Sequence, residues 1–174
     1  GYNEDGECGV DNYKSPLLQL TEIKYFQEKD IKIKQIFTSI PAYNTIWLTQ
    51  DDKLYINGWN ENNQLGMMDN QNNDQHTPQL ISTIPEISMV SQGWDHNLFL
   101  DGNGTVYCSC PLYIGEGERG FGYNTIDDNN IYGFHPIPRL QQAIIIRISC
   151  GRSHSLFLEK SNIVLNLHQA DFSQ

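Results

Sequence analysis

The sequence predicts an all-β fold: about three four-stranded antiparallel blades forming part of a β-propeller. Three observations predict it. A block of 52 to 58 residues recurs along the chain, and self-similarity at such a period marks repeat architectures. Within each block, short apolar strands alternate with turns of Gly, Pro, Asn and Asp, the punctuation of hairpins. No stretch sustains the helical period between caps, and only Thr21 to Glu28 reads as a turn of helix. One four-stranded blade per block fits all three.

The elements follow in order. The chain opens on Gly1-Tyr2-Asn3-Glu4, with Gly9 behind it. The same frame returns 57 residues later as Gly58-Trp59-Asn60-Glu61, with Gly66 behind it. A strand motif is most worn in its first copy, Pro41 to Leu48. That copy keeps the apolar triplet Ile46-Trp47-Leu48 but has Pro41 for Gly and Asn44 for His. The motif is clear at Gly93-Trp94-Asp95-His96-Asn97-Leu98-Phe99-Leu100. It returns 58 residues later at Gly151-Arg152-Ser153-His154-Ser155-Leu156-Phe157-Leu158. Ile87 to Ser91 and Ile145 to Ser149 lead into these two copies. Each copy then runs through a tight turn into another strand: Asp51-Asp52 before Leu54, Asn103-Gly104 before Val106, Ser161-Asn162 before Val164. Residues 1–174 therefore read as one repeat region, in units of about 1–57, 58–109 and 110–167. The Asn-rich stretch Asp69 to Gln75 reads as a loop.

Composition narrows the function classes. A chain of 174 residues suits one domain or a piece of a larger one. Its longest aliphatic run, Ala143 to Ile146, is far short of the ~20 residues a membrane helix needs. The acidic start Gly1 to Asp5 has no apolar region of a secretory signal. The formal net charge is −10, from 21 acidic and 11 basic residues. Phosphate backbones need clustered cations, and Lys24 to Lys34 is diluted by Glu28 and Asp30, so nucleic acid is not an expected partner. An acidic surface suits a basic protein partner. The four cysteines (Cys8, Cys108, Cys110 and Cys150) are scattered, which argues for reduced core thiols and an intracellular site, cytoplasmic or nuclear. Cys108-x-Cys110 lacks the second pair a zinc site wants.

The Gly-x-Asn-x-x-x-Gln-Leu-Gly run from Gly58 to Gly66 resembles the signature of the regulator of chromosome condensation repeat family. So do Thr77-Pro78, Ile84-Pro85 and the Gly93 to Leu100 motif. The third unit carries the pattern at Gly120-Phe121-Gly122, His135-Pro136 and Gly151 to Leu158. Two departures stand out. Asn57-Gly58 and Ser109-Cys110 replace the family's Trp-Gly, and Pro111 to Glu118 is inserted. The resemblance implies a seven-bladed ring, of which three blades form an open sector. Its two edges then call for the remaining blades or another chain to cover them. It also implies a non-enzymatic protein-interaction scaffold, with a protein as partner. The alternative it implies is guanine-nucleotide exchange on a small GTPase, as performed by the founding member, though no exchange residue maps onto this sequence. Chromatin docking, a third family role, is disfavoured by the acidic charge.

No catalytic, metal or cofactor site is expected. Gly115 to Gly120 matches Gly-x-Gly-x-x-Gly, but no helix pattern follows it and Glu116 and Glu118 would repel phosphate. His96 and His154 recur at one repeat position, which suits a structural bond within each blade. Ser153-His154-Ser155 has no nucleophile elbow around it. Asp101-Gly102-Asn103-Gly104 reads as a hairpin turn, not a calcium loop. The binding candidates are loop residues: Trp59 and Trp94, whose indoles sit in turns and either anchor a partner or pack at the core or rim of the sheets, and Glu116, Glu118 and Arg119 in the insertion.

Overall fold

Three antiparallel sheets follow one another along the chain. The computed structural model describes residues 1–11, 15–40, 42–61, 64–67, 73–81, 85–94, 96–109 and 133–168. The first sheet orders β1 (Ile33–Phe37), β2 (Asn44–Thr49), β3 (Leu54–Gly58) and β4 (Gln75–Ile81). The second orders β5 (Ile87–Gln92), β6 (Asn97–Asp101), β7 (Val106–Ser109) and β8 (His135–Pro136). The third contains β9 (Ile145–Cys150), β10 (His154–Glu159) and β11 (Val164–His168). This is the all-β, open propeller architecture read from the repeat, with one difference. Among the described residues the third sheet has three strands where four were expected. The turn of helix read at Thr21 to Glu28 is α1 (Lys24–Glu28).

The sheets are copies in register. Trp47, Phe99 and Phe157 face Tyr55, Tyr107 and Leu165 across the central strand pairs. The first strand of each sheet carries a bulge at the same place, beside Ile33, Ile87 and Ile145. An extra residue there bends and twists the strand. The hairpins after β2, β6 and β10 are also alike. Asp52, Gly104 and Asn162 all have positive φ, and the N–H groups of Thr49, Asp101 and Glu159 bond the carbonyls of Lys53, Thr105 and Ile163. That is a three-residue loop with a left-handed last position, where Asn, Asp and Gly are tolerated. The carboxylate of Asp101 accepts from the N–H groups of Asn103 and Thr105, as the hairpin reading requires.

Core packing runs between sheets. Phe99 of the second sheet lies among Ile46, Leu48, Leu54 and Ile56 of the first. Phe157 of the third lies among Leu98, Leu100, Val106 and Cys108 of the second. Trp47 has no preceding sheet to enter among the described residues. Phe26 of α1 packs on it instead, together with Tyr55, at ring separations of 5.1 and 5.6 Å.

Loops clasp neighbouring sheets. Asn3 and Asn60, both fully buried, accept from the N–H groups of Cys8 and Leu65 within their own loops, each at 3.0 Å. The first loop then offers its carbonyls to the first sheet: Glu7 to Thr45 Oγ1, Gly6 and Glu7 to Asn57 Nδ2. The second loop offers the Gln64 carbonyl to the second sheet, to Asn97 Nδ2 and Ser109 Oγ. The loop that leaves β3 is therefore held by the sheet after it.

One expectation is corrected. Cys108 is disulfide-bonded, whereas the scatter of the cysteines argued for four reduced thiols. Scatter excludes a framework of several bridges but says nothing against a single bond. Cys8 and Cys150 are free thiols. Among the described residues no helix is long and apolar enough to cross a membrane.

Candidate functional site

In an up-and-down sheet, alternate connections lie at the same end. The β1–β2, β5–β6 and β9–β10 turns therefore share one end with the chain that leaves β3. Trp59 and Trp94, the two indoles singled out from the sequence, are both at this end, and both are partly exposed. Glu116, Glu118 and Arg119 lie outside the described residues, as does the Gly115 to Gly120 run.

Each indole has a partner that the sequence reading missed. Trp59 meets the Tyr43 ring edge-on at 5.8 Å, and its N–H bonds the Tyr43 carbonyl at 2.9 Å. The Arg152 guanidinium lies 3.5 Å from the centre of the Trp94 ring, and the Trp94 N–H bonds the Arg152 carbonyl. Stacking of guanidinium on indole is favourable, about 0.5–1 kcal/mol at exposed sites. Trp94 and Arg152 stand at the same position of successive repeats, so aligning the two motifs puts them on neighbouring turns. Tyr43 had a weaker signal, as the residue before β2.

The opposite end differs in kind. Its hairpins carry Gln50, Asp51 and Asp52, then Gly102 to Gly104, then Lys160 to Asn162, with no aromatic among them. Lys34–Asp52 and Lys53–Asp51 pair there at 2.6 and 2.8 Å, and exposed pairs of this kind contribute little.

The two histidines hold the turns that display Trp94 and Arg152. In each turn the Gly N–H bonds the His carbonyl at 2.8 Å, Gly93 to His96 and Gly151 to His154. The imidazole folds back onto the glycine, whose Cβ, if present, would lie 2.2 and 2.0 Å from ring carbons. That is why the repeat spells Gly-x-x-His. His96 also reaches beyond its own blade, which extends the within-blade reading. Its Nε2 lies 3.0 Å from Ser155 Oγ in the third sheet. This serine–imidazole pair is fully buried, with no access for a substrate. It joins two sheets.

The electrostatics are acidic. Burial first, then the carboxylates of Glu7, Asp74, Glu4 and Glu61, push the Asp5 carboxyl up to about 6. Burial likewise raises the Asp74 carboxyl, partly offset by the bond from the Asn60 N–H. A cleft of about 340 Å³ lies between α1 and the first loop, lined by Val10, Thr21, Lys24, Tyr25 and Thr77 among others. Among the described residues no group of His, Cys, Asp and Glu is placed to hold a metal ion.

Sheets, loops and turns of this geometry define a propeller built of one repeat type. Residues 51–100 match the family model described as Regulator of chromosome condensation (RCC1) repeat. The matched stretch runs from the β2–β3 hairpin to β6, so the similarity to an RCC1-type repeat is shown for that part of the chain. The ultraviolet-B receptor UVR8 of Arabidopsis thaliana is 27% identical over 160 residues, 91% of this chain and 33% of that protein. The probable E3 ubiquitin-protein ligase HERC6 of Homo sapiens is 25% identical over 170 residues, 94% of this chain and 16% of that protein. The chain thus spans a third or less of the curated relatives it matches. Prp20p of Saccharomyces cerevisiae, solved with a study of its binding to Gsp1p and histones, superposes with a TM-score of 0.66 at 21% identity, over 94% of this chain and 38% of that one. The likeness to Prp20p is one of fold.

Proposed function

We propose that this chain is a non-enzymatic protein-binding module that engages its partner through the end of the sheets bearing Tyr43, Trp59, Trp94 and Arg152. The observation that carries the reading is the asymmetry between the two ends. One displays partly exposed Trp, Tyr and Arg, the residue types that dominate binding energy at interfaces, and backbone hydrogen bonds fix them in place. At the other, the β2–β3, β6–β7 and β10–β11 hairpins display small polar residues and ion pairs, beside Tyr25 under the Lys29 ammonium and an exposed Ile144. Rigid placement lowers the entropy lost on binding. The acidic groups around Asp5 favour a basic partner.

A photo-crosslinking residue placed at Tyr43 or Trp94, and a control at Asn103, tests it in cell extract. Adducts are expected from the first two positions, weakened by Trp59→Ala. Adducts from Asn103 alone would sink the reading. A second reading, regulation of a small GTPase, draws on the resemblance to the family's founding member and on Prp20p, whose described partners include Gsp1p. Accelerated release of a fluorescent guanine nucleotide from a GTPase panel supports it, and an unchanged rate across the panel removes it. We further place the protein in the cytoplasm or nucleus. The free thiols at Cys8 and Cys150 suit a reducing compartment, the disulfide at Cys108 an oxidising one, and fractionation of cells expressing a tagged chain decides between them.

A further inference from the structure

The seams between neighbouring sheets place the same repeat positions against each other. Between the second and third sheets His96 of β6 meets Ser155 of β10, Nε2 to Oγ at 3.0 Å. Between the first and second the equivalent residues are Asn44 of β2 and Asn97 of β6. They are buried, at 1% and 0% exposure, and other bonds fix the orientation of their amides. Asn44 Oδ1 accepts from Gln92 Nε2 at 2.7 Å. Asn97 Nδ2 donates to the Gln64 carbonyl and to Ser109 Oγ. Asn44 Nδ2 and Asn97 Oδ1 remain, and neither has a hydrogen-bond partner among the described residues. One is a donor and the other an acceptor. Gln92 and Asn97 stand directly opposite each other on β5 and β6, so their side chains leave the sheet on one face. Gln92 grips Asn44 from that face, which sets Asn97 beside the same amide.

We propose that the seam between the first and second sheets holds a single internal water, which accepts from Asn44 Nδ2 and donates to Asn97 Oδ1. Buried polar groups of folded proteins are met by other protein groups or by ordered water. The donor set selects water over an ion. A cation needs acceptors and an anion needs donors, whereas this pair offers one of each and no net charge. An internal water needs at least about two polar partners, and the two amides supply them. The next seam is closed by a direct bond instead, and the exchange of His and Ser for two amides accounts for the difference. The inference does not depend on the partner face proposed above.

A high-resolution crystal structure of the chain tests it. Density for one water is expected at about 3 Å from both Asn44 Nδ2 and Asn97 Oδ1. Asn44→His, which brings in the residue of the next seam, is expected to set an imidazole nitrogen against Asn97 and expel the water. Magnetic relaxation dispersion of water counts long-lived internal waters without crystals, and Asn44→Leu is expected to hold one fewer than the wild type. A direct bond between Asn44 and Asn97, no density between them, or an equal count of internal waters in the wild type and Asn44→Leu overturns the proposal.

Discussion

Gly93 and Gly151 hold the same place in successive turns, yet they are constrained to different degrees. A Cβ on Gly93 would press into the ring of His96, which is fully buried and held by Ser155. A Cβ on Gly151 would press into the ring of His154, which is exposed where His96 is buried. Gly93→Ala is therefore expected to cost about 1–3 kcal/mol and Gly151→Ala about 1 kcal/mol or less. Urea midpoints compare them, and equal losses would contradict the account. Asp5 gives a pH prediction. Its carboxyl is raised to about 6 in the folded chain, so folding favours the protonated form. The stability it allows is complete below about pH 4 and is lost as pH rises through about 6. Asp5→Asn should raise the urea midpoint at pH 7 and leave it unchanged near pH 4; a gap that persists at low pH would refute this. At this scale the Gly-x-x-His spelling was legible, because it recurs. The bond from His96 to Ser155 was not, because it links residues 59 apart and leaves no local pattern.

Each Gly-x-Asn loop is wound about its asparagine, which links local folding to inter-sheet contact. Asn60→Ala removes the acceptor for the Leu65 N–H in a buried setting. A loss of about 1–3 kcal/mol is expected. The loosened Gln64 carbonyl should also free the Asn97 side-chain Nδ2–H2 group that donates to it, seen as faster exchange of that side-chain amide. Fast exchange confined to the loop would show that the clasp is independent of the asparagine. The strands and hairpins were readable because apolar triplets and left-handed turn residues are local features. The bulges beside Ile33, Ile87 and Ile145 were not, since a bulge is a property of the pairing and not of one strand. The brief helical signal at Thr21 to Glu28 gave no hint that Phe26 would take the place of a sheet against Trp47. Only the repeat alignment of Trp47 with Phe99 and Phe157 shows that something apolar had to fill that place.

Taken whole, the stack is stabilised between its sheets, so its stability should respond as one unit. Phe99→Ala removes a fully buried ring shared by the first and second sheets. It is expected to cost about 3–5 kcal/mol and to lower the fluorescence and circular-dichroism transitions together. Two separated transitions would show that the sheets unfold singly. The net charge of −10 predicts a melting temperature that rises as salt increases to ~0.15 M, by screening of like charges. A fall would point to dominance of the exposed ion pairs instead. The candidate face was half legible. Trp59 and Trp94 followed from their turns, while Tyr43 and Arg152 emerged only when the chain brought distant turns together. The clasping of each loop by the sheet that follows also sets a timetable. Gly6 waits for Asn57, which is made 51 residues later, and at about 5–20 residues per second of synthesis that is a delay of about 3–10 s. A nascent chain of this design always trails one unsatisfied loop behind its newest sheet, and chaperones that shield nascent loops have their longest opportunity there.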